Sequence, residues 1–182
     1  MFKLIGNAKE ADHIAFDKRI EFATANGDEF SGIRYFNVQS VIFKRLYDLI
    51  PQEMHRDFYT SLLVINDNIP PHTDIVDTAC FNCYIEPGGY STLVYTNKAN
   101  AMGVEFSDRS DGHLFDKNQL QLSGSFTAKE FEIYLLNNKC IHEVFIDGSY
   151  RPVRKVLQLA TNKYSYAEVD GILSGMEKPH VL

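Results

Sequence analysis

The chain has 182 residues, with 18 Lys and Arg against 24 Asp and Glu, a formal net charge of −6, and 45% hydrophobic and 23% charged residues. That balance belongs to one globular domain with a sizeable core and excludes intrinsic disorder and collagen-like repeats. An acidic surplus without a basic run disfavours nucleic acid as a partner, because phosphate-backbone affinity comes from clustered Lys and Arg.

Thirteen Phe and ten Tyr with no Trp lean the chain toward β-structure, where large apolar bodies fill the inner faces of sheets. No stretch approaches the roughly 18 apolar residues of a membrane span, and Met1-Phe2-Lys3-Leu4-Ile5-Gly6 lacks a secretory apolar region. Three cysteines, an odd count, fit free thiols in a reducing compartment. The expectation is a soluble cytoplasmic protein with no membrane association. Its oligomeric state is not legible.

Along the chain, the first fifty residues read as helical. Ala11, Ile14, Ala15 and Phe16, then Val41, Ile42, Leu46, Leu49 and Ile50, recur near the helical period, Gly27 and Gly32 punctuate them, and Pro51 closes the second segment. Such a stripe is a packing face, so residues 1–57 are expected to form a helical N-terminal support. From Phe58 the texture changes to short apolar runs between turn residues. Strands are expected near Tyr59–Ile65, Cys80–Ile85, Ser91–Tyr95, Gln119–Ser123, Glu132–Leu136, His142–Ile146 and Val153–Ala160. Asn66-Asp67-Asn68 with Pro70-Pro71, Pro87-Gly88-Gly89, residues 107–112 and Asp147-Gly148-Ser149 are the breaks. Residues 58–162 form the β core and residues 163–182 a tail. The fold class is mainly β with N-terminal helices.

Two histidines sit where a metal could be held. His72-Thr73-Asp74 follows the rigid Ile69-Pro70-Pro71, and residues two apart on a strand share one face. His142 opens the apolar run His142-Glu143-Val144-Phe145-Ile146. Two histidines and a carboxylate on adjacent strands occupy one side of an octahedral ion and leave the other side open, the facial arrangement of non-haem Fe(II) oxygenases. Arg154 lies twelve residues after His142 at the head of Lys155-Val156-Leu157-Gln158-Leu159-Ala160. Its planar, permanently charged guanidinium can clamp a carboxylate in two places.

In these residues the chain resembles the iron(II)- and 2-oxoglutarate-dependent oxygenases, especially their small prolyl-hydroxylase-like bacterial and phage members. Phe81-Asn82-Cys83-Tyr84-Ile85-Glu86 before a Gly-Gly turn and Ser91-Thr92-Leu93-Val94-Tyr95 are similar to the strand pair that follows the family's His-x-Asp motif. The likeness spans roughly Tyr59 to Thr161. It implies a double-stranded β-helix, a cupin-like jelly roll. It also implies Fe(II) held by the catalytic triad His72, Asp74 and His142, with 2-oxoglutarate bound by Arg154. Asn82 and Tyr84 share a strand face and would line the cosubstrate pocket. The implied activity is a dioxygenase that consumes O2 and 2-oxoglutarate and hydroxylates an unactivated C–H bond. The substrate would be a small molecule or peptide, a peptidyl or free amino-acid side chain among the choices.

Other readings stand beside this one. Arg151 falls nine residues after His142 and is the rival for the cosubstrate carboxylate, although Pro152 would interrupt a strand beginning there. Cys80 and Cys83 with Cys140 and His142 could form a closed zinc site, but a strand would point Cys80 and Cys83 to opposite faces. Buried small apolar residues are the plain expectation for all three cysteines. His13, His55 and His180 are expected on the surface, His113 in a loop, and Asp108-Arg109-Ser110-Asp111 in a solvated turn. A module of the same fold that holds a metal or small ligand without catalysis is the alternative to an enzyme.

Overall fold

Period-two alternation dominates the chain, and it builds two antiparallel sheets whose strands bury one set of side chains between the layers. The computed structural model describes residues 1–8, 14–23, 31–74, 77–98, 103–105 and 112–175. In order they form β1 (Phe2–Asn7), β2 (Lys18–Ala23), β3 (Ser31–Phe36), α1 (Val41–Tyr47), a 3-10 turn (Gln52–Asp57), β4 (Tyr59–Ile65) and β5 (Ile69–Asp74). There follow β6 (Ala79–Glu86), β7 (Ser91–Asn97), β8 (Val104–Glu105), β9 (Gly112–Leu114), a second 3-10 turn (Lys117–Gln119) and β10 (Leu120–Thr127). The chain then forms β11 (Glu132–Asn137), β12 (Ile141–Phe145), β13 (Arg154–Thr161) and α2 (Tyr166–Gly175).

Seven strands form one sheet in the order β1-β11-β6-β13-β4-β3-β2, and six form the other in the order β10-β7-β12-β5-β9-β8. From β4 to β7 and again from β10 to β13, successive strands alternate between the sheets. That alternation is the winding of a jelly roll, the double-stranded β-helix expected from the sequence.

The larger sheet is covered on both faces, which is why β6 reads as almost continuously buried. Its outer face presents Leu62, Phe81, Cys83, Ile133, Leu135, Leu157 and Leu159 to Ile42, Phe43 and Leu46 of α1 and Val169 of α2. Each fully buried leucine there contributes roughly 1.5–3 kcal/mol. Ser40 caps α1, its hydroxyl accepting from the Ile42 amide at 3.1 Å. Ser165 and Glu168 cap α2 reciprocally: the Ser165 amide donates to the Glu168 carboxylate at 2.7 Å and the Glu168 amide donates to Ser165 Oγ at 3.3 Å.

The helical N-terminus is corrected. Among the described residues, only 41–47 is α-helix before Pro51, and three strands precede it. β3 pairs with β4 from Gly32↔Ile65 to Phe36↔Ser61, and β2 pairs with β3, so long-range pairing overrides the local pattern. Residues 9–13 and Gly27 lie outside the described residues, while Ala15 forms an isolated bridge to Gln39. The expected tail contains α2, whose Tyr166 and Val169 are buried, and Pro70-Pro71, expected in a break, lie within β5. No helix among the described residues is long and apolar enough to cross a membrane.

Candidate metal centre

β5 runs through two prolines because the ladder is interrupted there. Ile69 faces Val144 and His72 faces His142, three residues on β5 against two on β12, so Pro70 and Pro71 fall in a bulge where no donor is missed. The Pro71 carbonyl is still used, accepting from the Phe115 amide at 2.9 Å. The bulge delivers His72 directly opposite His142, with ring centroids 4.2 Å apart. Asp74, two residues on, shares the His72 face, with its Oδ1 3.8 Å from His72 Nε2. The Asp74 backbone is tied to the β11–β12 turn, its amide donating to the Asn138 carbonyl at 3.0 Å. Among the described residues, His72, Asp74 and His142 are the one converging group of metal-ligating side chains, with ligand atoms within 4.8 Å of one another.

Both imidazoles are set by the same local device. His72 Nδ1 lies 2.8 Å from the Pro70 carbonyl and His142 Nδ1 lies 3.0 Å from the Cys140 carbonyl, two residues back in each case. A carbonyl only accepts, so each Nδ1 donates and each Nε2 carries the lone pair, the tautomer a metal needs. Burial pushes the His72 pKa down to about 4, the neighbouring His142 adds to this, and Asp74 opposes it. The ring is therefore neutral at ordinary pH and available as a ligand.

Arg154 opens β13 inside the sandwich, 3% exposed. Gly88 helps to seat it: with φ +63°, it lets the β6–β7 turn approach the Val153 carbonyl, which a Cβ would meet at 2.7 Å. The Arg154 Nη2 donates to Thr92 Oγ1 at 2.9 Å, and its Cζ lies 4.7 Å from the Tyr84 ring centroid. Its Nε and Nη1 are buried without a hydrogen-bond partner, as are the hydroxyls of Tyr84 and Tyr90. Thr92 faces Val144 and Val94 faces His142, so the Thr92 row lies two residues, about 7 Å, along the sheet from the histidine row. A buried cation with idle donors is costly unless an anion meets it. These groups fit a carboxylate, just as the triad fits an octahedral cation with open positions.

Asn82 shares the inner face with Tyr84 but belongs to another group, its Oδ1 accepting from Gln158 Nε2 at 3.1 Å and from Cys80 Sγ at 3.3 Å. Arg151 is held at the surface, its Nε 3.0 Å from Asp67 Oδ1 and its Nη1 donating to the Gly148 carbonyl. The cysteines do not converge as zinc ligands: Cys80 packs in the inner core with Tyr84, Cys83 packs outside with Phe81, and all three are free thiols. His55 is a half-buried staple, its Nε2 3.0 Å from the Tyr47 carbonyl, and His113 lies on β9 opposite Thr73. His13, His180 and 108–111 lie outside the described residues. Thr92, Tyr90 and Gln158 escaped the sequence reading. The available signal was a polar residue in an otherwise apolar inward phase, as with Gln158 between Val156 and Ala160.

No protein-family model matches the chain, and no curated protein is significantly similar to it. Solved structures resemble it in fold. E. coli ycfD matches with a TM-score of 0.50 at 10% identity, over 90% of this chain and 48% of that one. An oxidoreductase of the 2OG-Fe(II) oxygenase family from Burkholderia pseudomallei gives 0.47 at 11% identity, over 81% and 74%. Vicilin from Corylus avellana, hazelnut, gives 0.41 at 12% identity, over 82% and 31%.

Proposed function

We propose that the chain is an Fe(II)- and 2-oxoglutarate-dependent dioxygenase that hydroxylates an unactivated C–H bond of a small molecule or peptide. The observation that carries this reading is the buried Arg154 guanidinium, with two nitrogens lacking partners, in the same interior as the His72, Asp74 and His142 group. A metal-binding module alone has no use for that cation. An oxygenase whose cosubstrate is a dicarboxylate does.

On this reading His72, Asp74 and His142 would hold Fe(II), and Arg154 would hold the far carboxylate of 2-oxoglutarate. Bound together, iron and 2-oxoglutarate supply an oxidant from O2, with succinate and carbon dioxide as co-products, and the protein orients and shields that chemistry. The Pro70 and Cys140 carbonyls fix the two Nε2 lone pairs toward one point, so ligand geometry is set before the metal arrives. Thr92 anchors the Arg154 guanidinium through Nη2, leaving the idle Nη1 to donate to the carboxylate. Tyr84 lies against the guanidinium face and can donate its hydroxyl to the same anion, while the surrounding apolar wall excludes water and strengthens the pairing.

The test is succinate release from 2-oxoglutarate with Fe(II) and O2, together with anaerobic calorimetry of 2-oxoglutarate on Mn(II)-loaded protein. Wild type is expected to bind 2-oxoglutarate and form succinate, whereas His142→Ala is expected to lose metal affinity by about 10–100-fold or more and turnover with it. Metal binding without 2-oxoglutarate binding would overturn the oxygenase in favour of a binding module.

A further inference from the structure

The inner face of the larger sheet carries a second arginine that the metal and cosubstrate leave unused. Arg34 on β3 faces Leu63 of β4, in phase with Ile65. Leu63 and Ile65 pack on Ile69 of β5 and Val144 of β12, so β4 and its neighbour β3 lie over the part of the small sheet that presents His72 and Asp74. The Arg34 Nη2 donates to Gln158 Oε1 at 3.2 Å. Gln158 also accepts from Ser61 Oγ at 3.2 Å and is oriented by Asn82. On its other side Arg34 Nη1 lies 3.7 Å from Asp77 Oδ2, beyond hydrogen-bond length, while the Tyr59 hydroxyl donates to Asp77 Oδ1.

Among the described residues, Gln158 is thus the one hydrogen-bond acceptor for a guanidinium with five N–H donors. The Arg34 side chain is 22% exposed, so it meets water where Arg154 does not. Cys80 Sγ donates to Asn82 Oδ1 at 3.3 Å and to Asn138 Oδ1 at 3.2 Å, and the Asn138 carbonyl accepts from the Asp74 amide, so the group of Arg34, Gln158 and Asn82, with Asp77 beside it, adjoins Asp74 across one space. Two carboxylates in that space repel a multiply charged phosphate. A planar carboxylate with a single charge matches the idle edge of the fork and carries the least repulsion.

Resting on the oxygenase reading above, we propose that Arg34, held by Gln158 and Asp77, receives a carboxylate of the primary substrate, so that the molecule oxidised is a small carboxylic acid. Arg34 is then the residue that selects acid over amide, with Gln158 and Asp77 as positioning residues.

The experiment is anaerobic calorimetry on Mn(II)-loaded protein saturated with 2-oxoglutarate, titrated with L-amino acids and aliphatic monocarboxylic acids and with their primary amides. At least one acid is expected to bind wild type about tenfold or more tighter than its amide, a preference that collapses in Arg34→Gln and partly survives in Arg34→Lys. Melting curves of both variants check folding, and the conservative Lys variant keeps the test decisive if the Gln variant unfolds. Acids and amides binding alike, no acid binding at all, or acid binding that persists in folded Arg34→Gln overturns the proposal. Failure of 2-oxoglutarate to bind wild type overturns the oxygenase reading instead, and acid preference is then read on the metal-loaded protein without it.

Discussion

The two faces of the seven-stranded sheet come from the same strands and differ by one residue of phase. Outward, Leu62, Phe81, Cys83, Leu135, Leu157 and Leu159 meet two helices in an apolar layer. Inward, Cys80, Asn82, Tyr84, Arg154 and Gln158 carry thiol, amide, phenol and guanidinium groups toward the small sheet, the phenol and two of the guanidinium nitrogens lacking partners. Stability is concentrated on the first face and chemistry on the second. The division teaches why the protein can keep an unneutralised buried arginine: strands anchored on one side tolerate unfavourable groups on the other.

Four substitutions break or sharpen that contrast. Leu157→Ala, on the helix-covered face, is expected to cost about 2–5 kcal/mol in urea denaturation while the molecules that remain folded bind metal with unchanged stoichiometry. A loss below about 1 kcal/mol would deny that face its role. Arg154→Met acts in the opposite sense: without ligand, unfolding free energy stays level or rises because an unpaired charge leaves the interior. Calorimetry on the same variant should show 2-oxoglutarate bound at least about tenfold more weakly, ~1.4 kcal/mol. A clear fall in ligand-free stability would mean that Arg154 is a structural residue.

Smaller effects lie at the helix that closes the outer face. Ser165→Ala removes the reciprocal cap of α2 and is expected to lower stability by about 1 kcal/mol, measured by chemical denaturation. Asp57 bonds the Lys163 side chain and the Tyr164 hydroxyl, at 2.8 and 2.9 Å, and these hydrogen bonds hold its carboxyl below the usual carboxylate range. A lowered folded pKa contributes stability above the unfolded value of about 3.9, and that stability is lost as pH falls through the folded value. Asp57→Asn should therefore melt slightly below wild type at pH 7, with the gap closing once the pH drops under about 4. A gap that persists in acid would show that the ion pair is not its source.

Much of the core was legible because alternation survives translation into sheet faces. The expected Tyr59–Ile65 matches β4, and Cys80 and Cys83 fall on opposite faces as their odd spacing requires. The triad was legible for the same reason at His72 and Asp74, two residues apart. The N-terminal strands were not, because the apolar residues of the first fifty positions also fit a helical period, and pairing with β4 decides between the two. Arg34 was invisible: one charged residue in an ambiguous segment carries no sign of what it will face.

By itself, the sequence determined the phase of the seven β-strands read after Phe58, the end of the helix before Pro51 and the residue types able to ligate an octahedral ion, since these follow from local periodicity, fixed φ and side-chain chemistry. Tertiary structure alone decided that His142 stands across from His72, that Arg154 is buried with idle donors while Arg151 is tied to Asp67, and that Arg34 joins Gln158. Those outcomes depend on register and on which strands become neighbours. Register is set by the pairing of distant segments, a sum over the whole sheet that no local window contains.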